Sequence, residues 1–123
     1  MKLSIVAAAA ALALAPTTTA WRIYLYNWEG GNKDGGYHTN SGPGGKGERC
    51  HTIGNLNNKV SSIQWYSKNS ETSPTSQCDV TFYNSAGCKD RLAGPYRANF
   101  FVDADYLGIN NKITTYKTRC WPM

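Results

Sequence analysis

The chain has 123 residues, 13 basic against 8 acidic, and a net charge of +5. One domain of this size buries only a modest core, and no stretch reaches the roughly 20 consecutive apolar residues that a bilayer span needs. The basic residues are scattered rather than clustered, which argues for a solvated exterior and against a dedicated nucleic-acid-binding run.

From the N-terminus, Lys2 is followed by the mostly apolar run Leu3 to Leu14, the small polar stretch Pro16 to Thr19, and Ala20. This is the layout of an export signal cleaved after Ala20. The reading is therefore a signal peptide, 1–20, ahead of a secreted, extracellular domain, 21–123. Taking Lys2 from the 13 basic residues leaves 12 against 8 acidic ones, a net charge of +4. Cys50, Cys78, Cys88 and Cys120 all lie in the mature part. In an oxidising compartment four cysteines form two disulfides, each worth about 2–4 kcal/mol, and sequence alone permits three connectivities. A zinc site is disfavoured, because no CxxC pair exists and His38 and His51 are the only histidines.

Helical spacing is missing from the mature chain, whereas short alternating runs rich in β-branched and aromatic residues recur between Gly and Asn clusters, the pattern of an all-β domain. Arg22 to Tyr26 places Ile23 and Leu25 on one face, and Asp79 to Tyr83 does the same with Val80 and Phe82. Further strands are expected over Ser61 to Trp65, Asn99 to Val102 and Ile113 to Lys117, with their apolar faces meeting between two sheets. The Gly- and Asn-crowded stretch Gly30 to Gly47 reads as a long mobile hairpin. It lacks the GxxxxGK[ST] pattern of a phosphate loop.

Two segments repeat in order. Ile23 to Asn27 with Gly30 aligns with Val80 to Asn84 with Gly87, and Gly54 to Ser62 aligns with Leu107 to Thr115. The mature chain thus divides into motif one, 21–67, a polar linker, 68–77, and motif two, 78–123.

Within the second pair, Asn57-Asn58-Lys59-Val60-Ser61-Ser62 and Asn110-Asn111-Lys112-Ile113-Thr114-Thr115 resemble the (N/D)(N/D)xx(S/T)S signature of the βγ-crystallin superfamily. Thr115 departs from the usual serine. Each copy sits downstream of an aromatic strand, so the resemblance covers nearly the whole mature chain. It implies a β-sandwich of two Greek-key motifs, each giving three strands to its own sheet and lending its third strand to the other. It also implies a strand from Cys78 antiparallel to one ending at Cys120, hence Cys78 bonded to Cys120 and Cys50 to Cys88.

In calcium-binding members of this superfamily the signature loops help form two cation sites. Carried onto this chain, the side chains of Asn58 and Asn111, the hydroxyls of Ser61 and Thr114, and the carbonyls of Lys59 and Lys112 are the implied ligands. Carbonyls near Asn27 and Asn84 would complete the sites. Asn57 and Asn110 are assigned to bracing the loops by hydrogen bonds to the backbone. All the ligands are oxygens, as a hard cation requires, but none is a carboxylate. Calcium is therefore expected only in the weak class, with a dissociation constant of about 0.1 to 1 mM.

General acid–base chemistry of the secreted ribonuclease kind would draw on Glu29 or Glu48, His38 or His51, and Arg91 or Arg97. None of these lies in a recognisable motif, and both histidines read as loop residues. The expectation is a monomeric, non-enzymatic protein of toxin or effector character. It would act on a microbial or host surface target, with a secreted protease inhibitor, then a small ribonuclease, as alternatives. Trp28, Tyr37, Tyr66 and Trp121 are the candidate interface anchors.

Overall fold

The computed structural model describes residues 19–44, 47–68 and 76–122; most of the proposed leader and of the linker lies outside them. Alternation governs the first strand, β1 (Trp21–Tyr26), which turns Trp21, Ile23 and Leu25 inward. It is followed by β2 (Tyr37–Gly42), β3 (Gly47–Thr52) and β4 (Ser62–Tyr66). The second half supplies β5 (Ser76–Ser85), β6 (Lys89–Tyr96), β7 (Phe100–Asp103) and β8 (Thr115–Pro122). No α-helix occurs among the described residues, only short 3₁₀ turns.

Two four-stranded antiparallel sheets result, in the order β2-β1-β4-β7 and β3-β8-β5-β6. Sheet one holds three strands from the first half and β7 from the second. Sheet two holds three strands from the second half and β3 from the first. The inward residues Ile23, Leu25, Ile63, Trp65, Val80, Phe82 and Tyr116 are fully buried between the sheets, joined by Val60 and Ile113 from the turns that precede β4 and β8. Removing such side chains from water is the main stabilising contribution, about 1.5–3 kcal/mol each.

The two disulfides are Cys50–Cys88 and Cys78–Cys120. Cys78 and Cys120 face each other across β5 and β8. Cys50 on β3 is joined instead to the turn between β5 and β6, so one bridge ties the first half to the second. The linker starts and returns at one point, because Cys78 N–H donates to Ser67 O at 2.9 Å. Ala20, the last residue of the proposed leader, is buried, and its N–H donates to Gly42 O at 2.8 Å, extending the β1–β2 ladder by one bond.

Three sequence expectations change. The stretch Gly30 to Gly47 contains a paired strand, β2, and two 3₁₀ turns, Glu29–Gly31 and Lys33–Gly35, rather than one irregular hairpin. The Trp28 indole packs on Gly35, where an added Cβ would lie 2.4 Å from the ring. Only glycine leaves room for this close approach. The histidines are not in loops: His38 lies on β2 and His51 on β3, both half-buried. The last strand starts at Thr115, not Ile113, because Ile113 still belongs to the preceding turn and its carbonyl accepts from Asn58 N–H.

Candidate functional site

The two asparagine-led turns lie against each other. Asn58 N–H donates to Ile113 O at 2.9 Å, and Asn111 N–H donates to Val60 O at 3.0 Å, a reciprocal exchange between the halves. Lys59 N–H to Leu56 O (2.8 Å) and Lys112 N–H to Ile109 O (3.1 Å) close the two turns in the same way. Ser61 N–H to Tyr26 O (2.8 Å) and Thr114 N–H to Tyr83 O (2.9 Å) then tie each turn to the aromatic strand of its own half. Asn58 and Asn111 both have φ of 59°. That left-handed geometry explains the choice of asparagine, which tolerates it better than other residues with a Cβ.

Around Thr114 the implied ligands converge. Its Oγ lies 2.9 Å from Asn84 O and 3.3 Å from Asn58 Oδ1. The Thr114 hydroxyl has one hydrogen for these two acceptors. The counterpart group is arranged differently. Asn27 Nδ2 donates to Gly35 O at 2.9 Å, and Ser61 O accepts from Ala104 N–H at 2.7 Å.

Asn57 is exposed and its N–H donates to Gly54 O at 3.3 Å, whereas Asn110 Oδ1 is buried and accepts no hydrogen bond. The exposed side chains of Lys59 and Lys112 add positive charge to the turns. Among the described residues no group of three or more His, Cys, Asp or Glu gathers at any point. The oxygen donors are of the type a hard cation takes, but none of them is a carboxylate.

A second constellation was hidden in the sequence. At the seam between edge strands β2 and β3, Tyr116 from β8 receives a hydrogen bond from Asn40 Nδ2 at 2.9 Å and lies 3.3 Å from His38 Nε2. His51 stacks on the same phenol, with ring centroids 4.8 Å apart, and its Nε2 lies 2.8 Å from Thr118 Oγ1. Trp21 closes the group from β1, 5.2 Å from the His51 ring. Desolvation lowers both histidine pKa values, with like charge from Arg49 and His38 adding at His51. Burial pushes the Tyr116 phenol up to about 12 against the opposing effect of the Asn40 hydrogen bond. No motif announced this cluster, because its members are spread over four strands.

The residues weighed for acid–base chemistry separate. Glu29 lies on the turn after β1, while Arg91 lies on β6 with its neighbour-strand partner Tyr83. Glu48, Arg49 and His51 do line one cleft of about 520 Å³ beside Trp21. Yet His51 Nε2 faces Thr118, and its Nδ1 lies 3.5 Å from Asn40 Nδ2, so both ring nitrogens are turned to the wall.

Comparison with family models, curated proteins and solved structures finds no match to the chain. No helix among the described residues is long and apolar enough to cross a membrane.

Proposed function

We propose that this chain is an exported, non-catalytic protein of the βγ-crystallin type, with two Greek-key motifs, that acts by binding a microbial or host surface in the manner of a toxin or effector. The exchange of β3 and β7 between sheets and the back-to-back NNK turns support the fold resemblance. A fold does not select an activity, so the functional part rests on the surface.

The single observation that carries it is the position of the exposed large hydrophobic side chains. Trp28 (49%), Tyr37 (48%), Phe101 (49%) and Tyr106 (85%) all lie between β1 and the start of β2 or on β7 and the turn that follows it. The first of these segments folds onto the second, since Gly30 N–H donates to Asp103 Oδ1 at 2.8 Å. Aromatic side chains of this kind are the usual anchors of an interface. Weak calcium binding at Asn58, Asn84 and Thr114 accompanies this role as a stabilising accessory. At ten times its dissociation constant, calcium would add only about 1.4 kcal/mol per site.

The test combines capture and growth. Protein immobilised on beads is exposed to cell-wall fractions and secreted proteases from a panel of yeasts and bacteria, and purified protein is added to growing cultures. Capture or growth inhibition that is lost in a Trp28→Ala/Phe101→Ala variant with an unchanged melting point is the expected result. No capture and no growth effect across a wide panel would overturn the reading, and inhibition of a protease would replace it.

A further inference from the structure

The two open edges of the sandwich differ in chemistry. The β2/β3 seam carries the polar cluster around Tyr116 and, beside it, the cleft of about 520 Å³ lined by Glu48, Arg49 and His51. The opposite seam, between β6 and β7, is an apolar groove of about 490 Å³ whose walls include Pro95, Tyr96, Phe100, Val102 and Leu107. Tyr96 and Phe100 meet edge to face, 5.2 Å apart, and both pack against the core. The groove is thus a rigid, partly uncovered continuation of the interior, of a size that suits a small ligand.

At one end of this groove stands Arg97, which also lines a neighbouring depression with Arg119 and Trp121. Its guanidinium carbon lies 4.8 Å from the centre of the Trp121 ring, and that of Arg119 lies 5.9 Å from the same ring. Stacking restricts a guanidinium while leaving its N–H edge free to donate. Arg119 spends part of its edge on Asp79 at 2.7 Å, the only ion pair among the described residues. Arg97 therefore carries a positive charge, held in place, with no acid paired to it among the described residues.

We propose that the β6/β7 groove binds a single-chain anionic lipid, its acyl chain along Tyr96, Phe100 and Leu107 and its phosphate on Arg97, with Arg119 as the second cation. An apolar channel leading to an unpaired guanidinium is complementary to a molecule that is apolar along its length and an oxyanion at its end. Nucleic acid fits less well, since two arginines already crowd the Trp121 ring and base stacking needs a free ring face. The groove takes Phe100, Val102 and Leu107 from the strand and turn that present Phe101 and Tyr106 to the aromatic surface, but it uses other side chains and does not depend on that surface.

The test is titration with monomeric lysophosphatidic acid, followed by calorimetry and by methyl NMR. Saturable one-to-one binding is expected, with shifts at the Val102 and Leu107 methyls and with affinity reduced about tenfold or more in Arg97→Gln. The lysophosphatidylcholine of the same chain length should bind more weakly, and inorganic phosphate far more weakly. The melting point of Arg97→Gln, compared with the parent, separates lost binding from lost folding. Equal affinity in Arg97→Gln, full competition by inorganic phosphate, unmoved groove methyls or binding to vesicles alone would each overturn the proposal. Preferential binding of single-stranded RNA through Arg97 and Arg119 would do the same.

Discussion

His51 and Tyr116 lie face to face, 4.8 Å apart and 22° from parallel, across the ladder that joins β3 to β8. Both rings are withdrawn from water, and for both the withdrawal favours the neutral form, lowering the histidine pKa and raising the phenol to about 12. As pH falls through the ordinary histidine range near 6.5, the unfolded chain takes up protons that the folded chain refuses. Stability from His38 and His51 is therefore complete above that range and declines on acidification. Above about pH 10 the unfolded phenol loses its proton first, so stability declines again on the alkaline side. Melting points taken from pH 5 to 11 should trace a dome, and a His38→Gln/His51→Gln variant should flatten the acid limb. No drop between pH 7 and about 5, where most carboxylates stay ionised, would contradict the assignment.

Asp79 is 2% exposed, and its carboxylate is held by Arg119, whose side chain is 49% exposed. Arg119→Ala leaves the buried carboxylate without its charged donor, at a cost of about 1–3 kcal/mol. Water reaching the vacated side keeps the figure below that of a fully enclosed pair. In the double variant Asp79→Asn/Arg119→Ala part of the loss should return. Urea denaturation of the three variants measures this, and identical loss in single and double variants counts against the pairing.

Each disulfide closes a loop of similar size, with separations of 38 and 42 residues. Replacing either pair by alanine should cost about 2–4 kcal/mol. Only loss of Cys50–Cys88 removes the covalent tie between the halves apart from the linker. A protease site engineered into 68–77 tests this on a non-reducing gel. Cleavage should leave one band in the parent and two in Cys50→Ala/Cys88→Ala.

Adding charge at the turns should strengthen calcium binding. Asn58→Asp places a carboxylate 3.3 Å from the present position of Thr114 Oγ, assuming the rotamer is kept. With Asn111→Asp it should convert a small calcium-dependent rise in melting point into a larger one, reversed by chelator. A rise that is no larger in the variant than in the parent would remove these turns as the site.

Gly94 has φ of +107°, and an added Cβ would lie 2.7 Å from Val80 O and 2.9 Å from Thr81 Cα. Both obstacles are backbone, and they sit where the β5–β6 register shifts. Gly94→Ala should therefore cost at least about 1–3 kcal/mol. An alanine variant as stable as the parent in thermal melting would show that the bulge can relax.

What the sequence revealed follows sheet position. The central strands β1, β4, β5 and β8 carry buried hydrophobic residues at alternate positions, as Ile23 and Leu25, Ile63 and Trp65, and Val80 and Phe82 show. Their periodicity marked them, although β5 is buried on both faces from Cys78 to Phe82. The strands that went unread, β2, β3 and β6, are all edges. In β3 only His51 is even partly buried, so Gly47 to Thr52 shows no apolar rhythm. In β6, Asp90, Gly94 and Pro95 oppose strand propensity, and a register shift breaks the alternation. The edge strand β7 was legible because Phe100 to Val102 is apolar. The turn residues Asn58, Thr114 and Asn84 were singled out by the repeat and the family signature it resembles, whereas the Tyr116 cluster needed the sheets to be closed before its members met.

The place of β8 governs the order in which the molecule can be made. β8 (Thr115–Pro122) leaves the ribosome after the other seven described strands, yet it lies between β3 and β5, at the middle of sheet two. β3 therefore has no partner in its sheet until β8 has been made, and β5 has only the neighbouring β6. A chain stopped before β8 would lack the centre of one layer instead of a frayed end. Its unpaired β-segments would be open to neighbouring molecules, the usual hazard of late-closing, long-range β pairing.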